Sequence, residues 1–297
     1  MFPTHPQNKK GQPWIIEVLL FLAVMLAVQL MEGILIGMAA FLWGLFGGSL
    51  EGGVLPEPLL LVNLFATLPA TVAVLVFCRY GQGRRPADLG LGCKRAVTEY
   101  LIGVPVGIGL FAAAFGICLA AGALETGPAP GFSGTVGRWL LFLAGYLLQG
   151  MSEEVLCRGY FMGSLLRRYR PWVAIVTNST AFSLLHLANR SVSVLALVNI
   201  FLFGVLMSLY VLQRGNLWGA CAIHSLWNFV QGNVFGIRVS GNGMGPSLLR
   251  TLPLDGATLW NGGGFGLEGG FAVTLTLSVA LALLLLPDLL KKKRNCT

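Results

Sequence analysis

Long apolar runs separated by short polar connections make up most of this chain. A helix needs about 20 apolar residues to cross a bilayer. On that measure segments at roughly 15–46, 59–78, 97–123, 138–166, 172–187, 194–212, 216–235 and 271–287 read as candidate spans. The first is long enough to tilt, kink or extend past the bilayer. Its apolar run far exceeds a signal-peptide core, so it reads as a retained helix. The fifth is short for a full span and reads as a partial helix facing protein. The expected fold is all-α, a polytopic transmembrane helical bundle of about eight helices.

Composition supports a lipid-facing molecule. Hydrophobic residues make up 55% of the 297 positions and charged residues 11%, against about 25% charged in soluble domains. The net charge of +8 does not point to nucleic acid, because basic residues sit in short runs beside the apolar segments. Lys9 and Lys10, Arg79 to Arg95, Arg167 to Arg170, Arg214, and Lys291 to Arg294 carry most of them. Such clusters mark cytoplasmic loops and anionic headgroups. With eight spans, the N- and C-termini both fall on the cytoplasmic side, giving a multi-pass protein expected in the plasma membrane. The outer connections are then 47–58, 124–137, 188–193 and 236–270. The last is rich in Gly, Asn and Pro and reads as an irregular, mobile connection, with a lid as the alternative. The six cysteines form no CxxC pair, so no disulfide framework or zinc ribbon is indicated.

Ionisable side chains inside apolar segments are costly and mark functional positions. Three segments carry them in short motifs. In SEEVLCRGY, Glu154 and Arg158 stand one helical turn apart and can pair, while Glu153 faces another direction and is free to act as a general base. The alternative is a Glu–Glu–Arg cluster that only ties helices together. In FSLLH, Phe182 lies one turn before His186 and can orient it; a packing histidine is the plainer reading. In HSLWN, His224 and Asn228 share a face and offer two donors to an oxyanion, or simply join helices by hydrogen bonds. Counted at 1.5 Å per residue, these groups lie at compatible depths. Together a carboxylate, two imidazoles, a carboxamide and a guanidinium suit water activation against an amide bond.

These motifs, EE-x3-R, F-x3-H and H-x3-N in that order on successive apolar segments, resemble the CPBP intramembrane proteases. That family includes the type II CAAX prenyl endopeptidases and bacteriocin-processing or immunity proteins. The likeness covers residues 138–236, a CPBP-like catalytic core. Residues 1–137 supply further N-terminal transmembrane helices, and 237–297 an outer loop, a last transmembrane helix and a basic cytoplasmic tail. The resemblance implies an endopeptidase acting on a membrane protein or lipidated peptide. Glu153 and His186 would activate the attacking water, and His224 and Asn228 would hold the oxyanion. Glu154, Arg158 and Phe182 would support the site. It implies either a metal-free glutamic mechanism, which we favour in the absence of an HExxH helix, or zinc held by Glu153, His186 and His224. Other classes are a non-catalytic immunity or adaptor protein and a proton-coupled transporter. Against the transporter, the polar residues all fall in the second half, with no repeat symmetry. Expected partners are the substrate and membrane lipids, not nucleic acid; oligomeric state is not legible.

Overall fold

The computed structural model describes residues 11–50 and 55–294, with the backbone alone for residue 133 and for 287–294. Lys9 and Lys10 lie outside the described residues. Among the described residues, eight helices of twelve or more residues form a bundle. They are α1 (Trp14–Leu45), α2 (Glu57–Val76), α3 (Ala96–Ala120), α4 (Val136–Glu154), α5 (Pro171–Leu184), α6 (Val194–Arg214), α7 (Trp218–Phe229) and α8 (Phe271–Arg294). Among the described residues, five helical stretches are long and apolar enough to cross a membrane: α1, α2 with its extension to Gly81, α3, α4 with its continuation to Leu165, and α6. The molecule is an integral membrane protein.

Local chemistry sets several helix ends. Pro171 opens α5 at its first position, where the missing N–H costs nothing. The Ser193 side chain caps α6 by accepting from the Ala196 amide, satisfying one orphan donor. Gly215 ends α6 in the left-handed region at φ 73°, which glycine adopts without a Cβ clash.

The sequence expected 172–187 to be one short helix. It stops at Leu184, and His186 lies in the turn beyond it. α4 does not stop at Glu154 but widens into a π-helical stretch, Val155–Met162. Such stretches are rare and recur at functional sites. α7 is short and every residue from Gly219 to Asn233 is buried, as expected of a helix apolar all round and enclosed by neighbours. It packs between α3 and α4. Gly107 permits the α3 approach: a Cβ there would lie 2.5 Å from the Ile223 carbonyl oxygen.

The helix ends alternate as an up-and-down bundle requires. At one end Glu57 of α2 pairs with Arg138 of α4 at 2.9 Å. At the other, Glu99 of α3 pairs with Arg214 of α6 at 2.8 Å, and the Trp14 amide donates to the Tyr169 hydroxyl at 2.7 Å. The connections 124–137 and 236–270 meet at the first of these ends. They contribute strands β1 (Leu124–Pro128) and β2 (Leu249–Pro253), paired antiparallel with Thr126 opposite Thr251. The expectation that 236–270 is irregular is therefore corrected. Part of it is strand, part short helix, and Asn261 ties it down by donating to the Ala123 and Leu254 carbonyls.

Candidate functional site

A cavity of about 340 Å³ opens inside the bundle. Glu153, His186, His224 and Asn228 all line it, together with Phe182. Glu154 and Arg158 sit behind that wall, both with fully buried side chains. The structure thus brings together the residues that the sequence singled out on three separate segments.

Helical phase at the start of the π-helical stretch places the acids as the i, i+4 argument requires. Arg158 Nη1 donates to Glu154 Oε1 at 2.8 Å. A second guanidinium nitrogen donates to the Gly204 carbonyl at 3.3 Å. The guanidinium carbon also stands 4.5 Å from the centre of the Phe182 ring, a distance suited to cation–π attraction. Glu154 Oε1 lies 2.8 Å from His224 Nδ1 as well. As an ionised carboxylate it can only accept, so Nδ1 carries the hydrogen. That bond sets the ring orientation and turns Nε2 toward Glu153, whose Oε2 is 3.6 Å away. A carboxylate behind one imidazole nitrogen is how proteins commonly fix the ring and aim the other nitrogen.

His186 is held by its own turn. Its Nδ1 lies 2.9 Å from the Phe182 carbonyl oxygen, an acceptor only, so Nδ1 donates and Nε2 keeps a lone pair in the neutral ring. The Phe182 ring meets His186 edge-on with centroids 5.0 Å apart, and meets His224 edge-on at 6.0 Å. Phe203 covers another side of His224 at 5.2 Å. His224 is therefore flanked by two aromatic rings and His186 by one, which limits their rotation.

Glu153 is not uncommitted, as its phase on the helix suggested. Gln149, one turn before it, donates a short hydrogen bond to Glu153 Oε1 and accepts from Asn228 Nδ2 at 2.9 Å. Gln149 thus couples α4 to α7 directly across the cavity. Sequence reasoning missed it. The available signal was its i−4 spacing from Glu153, on the same helical face.

Two further groups were missed. Glu268, in the connection between β2 and α8, lines the cavity. Its Oε2 accepts from the Ser240 amide at 2.6 Å and the Ser240 hydroxyl at 2.8 Å. It also accepts from Gln231 at 3.3 Å, and Oε1 from Trp227 at 3.3 Å. The Glu268 and Gly270 carbonyls accept from Asn199 at 2.8 and 2.9 Å. This connection is fastened over the site, not draped loosely beside it. Gln29 and Glu32 of α1 and Asn63 of α2 also line the cavity, which corrects the expectation that its polar residues all come from the second half of the chain.

Glu153, His186 and His224 share the cavity but do not gather as a ligand set. Among the described residues no group of three His, Cys, Asp or Glu side chains is placed to hold a metal ion. His224 Nδ1 is engaged by Glu154.

Fold and site together define a polytopic membrane protein with carboxylates and imidazoles gathered in a cavity inside its helices. Residues 135–230 match the family model described as Rce1-like, type II CAAX prenyl endopeptidase, in agreement with the CPBP resemblance of the motifs. The match spans α4 to α7, the elements that carry the site. No curated protein and no solved structure matches the chain.

Proposed function

We propose that this protein is an intramembrane endopeptidase that cleaves a membrane-associated protein or peptide with water activated by Glu153 and His186. The observation that supports this most is the shared cavity, in which a carboxylate, two oriented imidazoles and a carboxamide face one space. Glu153 or His186 Nε2 takes a proton as water oxygen attacks the scissile carbonyl carbon. His186 suits the role because its Nδ1 is bound to a carbonyl and its Nε2 lone pair is spare. The carbonyl π electrons move to oxygen. His224, doubly protonated between the two carboxylates that flank it, keeps its Nδ1 hydrogen on Glu154 and donates its Nε2 hydrogen to that oxyanion with the second Asn228 N–H. Collapse of the tetrahedral intermediate breaks the C–N bond, and the proton taken from water passes to the leaving amine. Glu154, Arg158 and Phe182 touch no reacting atom in this scheme; they hold the rings in place. No step is routed through a metal.

The test is cleavage in proteoliposomes carrying substrate trapped in cells by an inactive Glu153→Gln form. Glu153→Ala, His186→Ala and His224→Ala are each expected to lower turnover at least about a hundredfold. Undiminished cleavage in all three variants would remove the proposed site. A chelator series on the same preparation reports on the mechanism: loss of activity restored by zinc would replace the metal-free scheme.

A further inference from the structure

The wall of the cavity contributed by α1 and α2 carries polar side chains among apolar ones, and three of them make no side-chain bonds among the described residues. Gln29, Glu32 and Asn63 line the cavity, and none of them has a hydrogen bond or ion pair among the described residues. Met25, Val28, Gln29 and Glu32 recur at helical spacing and form the cavity face of α1. α1 is anchored most firmly near its beginning, and its packing on α2 and the core continues through Met31. Trp14 bonds Tyr169 and Thr177, and Phe21 stacks on Phe161 with centroids 4.0 Å apart. No residue of α1 after Val28 is buried. Glu32, Glu153 and Glu268 line the cavity, and among the described residues no lysine or arginine does; His224 is held between Glu153 and Glu154.

We infer that the open half of α1, with Asn63 of α2, is the docking face for the substrate segment, and that Glu32 selects a substrate bearing a lysine or arginine side chain there. This rests on the peptidase reading. A peptide bond inside a bilayer is open to attack only when its helix is unwound, and unwound backbone N–H and C=O groups in hydrocarbon need partners. The carboxamides of Gln29 and Asn63 offer both donors and acceptors to such a backbone. A carboxylate without a partner in an apolar wall favours a cation brought beside it, because the pair is little screened there. An acidic substrate side chain beside Glu32 would meet a carboxylate that has no cation paired with it among the described residues.

The probe is a synthetic membrane peptide of about 20 residues, mostly Leu and Ala, with one central Lys, Gln or Glu. Its binding to the full-length protein is read by resonance energy transfer in phosphatidylcholine vesicles, which contain no primary amine. The unsubstituted protein is expected to hold the Lys peptide about tenfold more tightly than the Gln peptide, and the Glu peptide least. Glu32→Gln should abolish the Lys preference, Glu32→Asp should retain part of it, and Glu32→Lys should invert it toward the Glu peptide. Glu153→Gln, which removes the proposed base, should keep it. A Lys preference unchanged in Glu32→Gln, or no preference in the unsubstituted protein, overturns the inference. Preference without any cleavage would instead sink the peptidase reading and leave the docking face standing. Competition by added phosphatidylethanolamine that erases the preference would make the headgroup amine, not a substrate side chain, the ligand of Glu32, and would also overturn it.

Discussion

Arg158 and Glu154 form an ion pair with no exposed side-chain surface on either partner, and its removal has a size that can be worked from the contacts. Glu154→Gln leaves the guanidinium buried with the Gly204 carbonyl and the Phe182 face as its remaining partners. Breaking one side of a buried pair costs about 3–5 kcal/mol, because the other charge is left uncompensated. Arg158→Met leaves Glu154 still bonded by His224, so its cost is expected at the lower end, about 3 kcal/mol. Loss of the ring contact adds about 1 kcal/mol or more. The double variant removes both charges, and its cost should fall short of the sum of the singles by about 2 kcal/mol or more. Reversible unfolding in mixed micelles, followed by tryptophan fluorescence, measures all three. Single variants within about 1 kcal/mol of the unsubstituted protein, the value of an exposed pair, would refute the reasoning. So would strict additivity in the double variant. Cleavage should fall in both single variants, since Arg158 also braces Phe182, whose carbonyl holds His186.

Three more outcomes are expected. Gln149→Leu removes the bridge between Asn228 and Glu153 and should lower turnover about tenfold or more; Gln149→Glu, which can still accept from Asn228, should recover part of it, and unchanged steady-state kinetics in Gln149→Leu would deny the bridge a role. Glu268→Ala frees the Ser240, Trp227 and Gln231 donors, at about 1.5–3 kcal/mol for bonds to a charged group, and limited proteolysis should then cut within 236–270 faster than in the unsubstituted protein. Gly107→Val drives side-chain atoms against the Ile223 backbone and should destabilise by about 1–3 kcal/mol or more, seen as a lower midpoint of thermal unfolding in detergent.

Helix number, the membrane as solvent, and the pairing of Arg158 with Glu154 were legible because each depends on local spacing. Apolar length reports the thickness to be crossed, and i, i+4 spacing alone puts Arg158 on Glu154. Periodicity cannot say where a helix stops when the apolar run continues, so His186 was assigned to a span and lies in a turn. Nor could it foresee the π-helical widening after Glu154, or the pairing of 124–128 with 249–253, a contact between segments far apart in the chain. Polar residues outside a motif were the larger blind spot. Gln149, Glu32 and Glu268 are single polar side chains in apolar or Gly-rich surroundings, and each has meaning only through what faces it across the cavity. A one-dimensional pattern carries the face a residue occupies; the packing of α1, α4, α7 and the segment before α8 decides which faces meet.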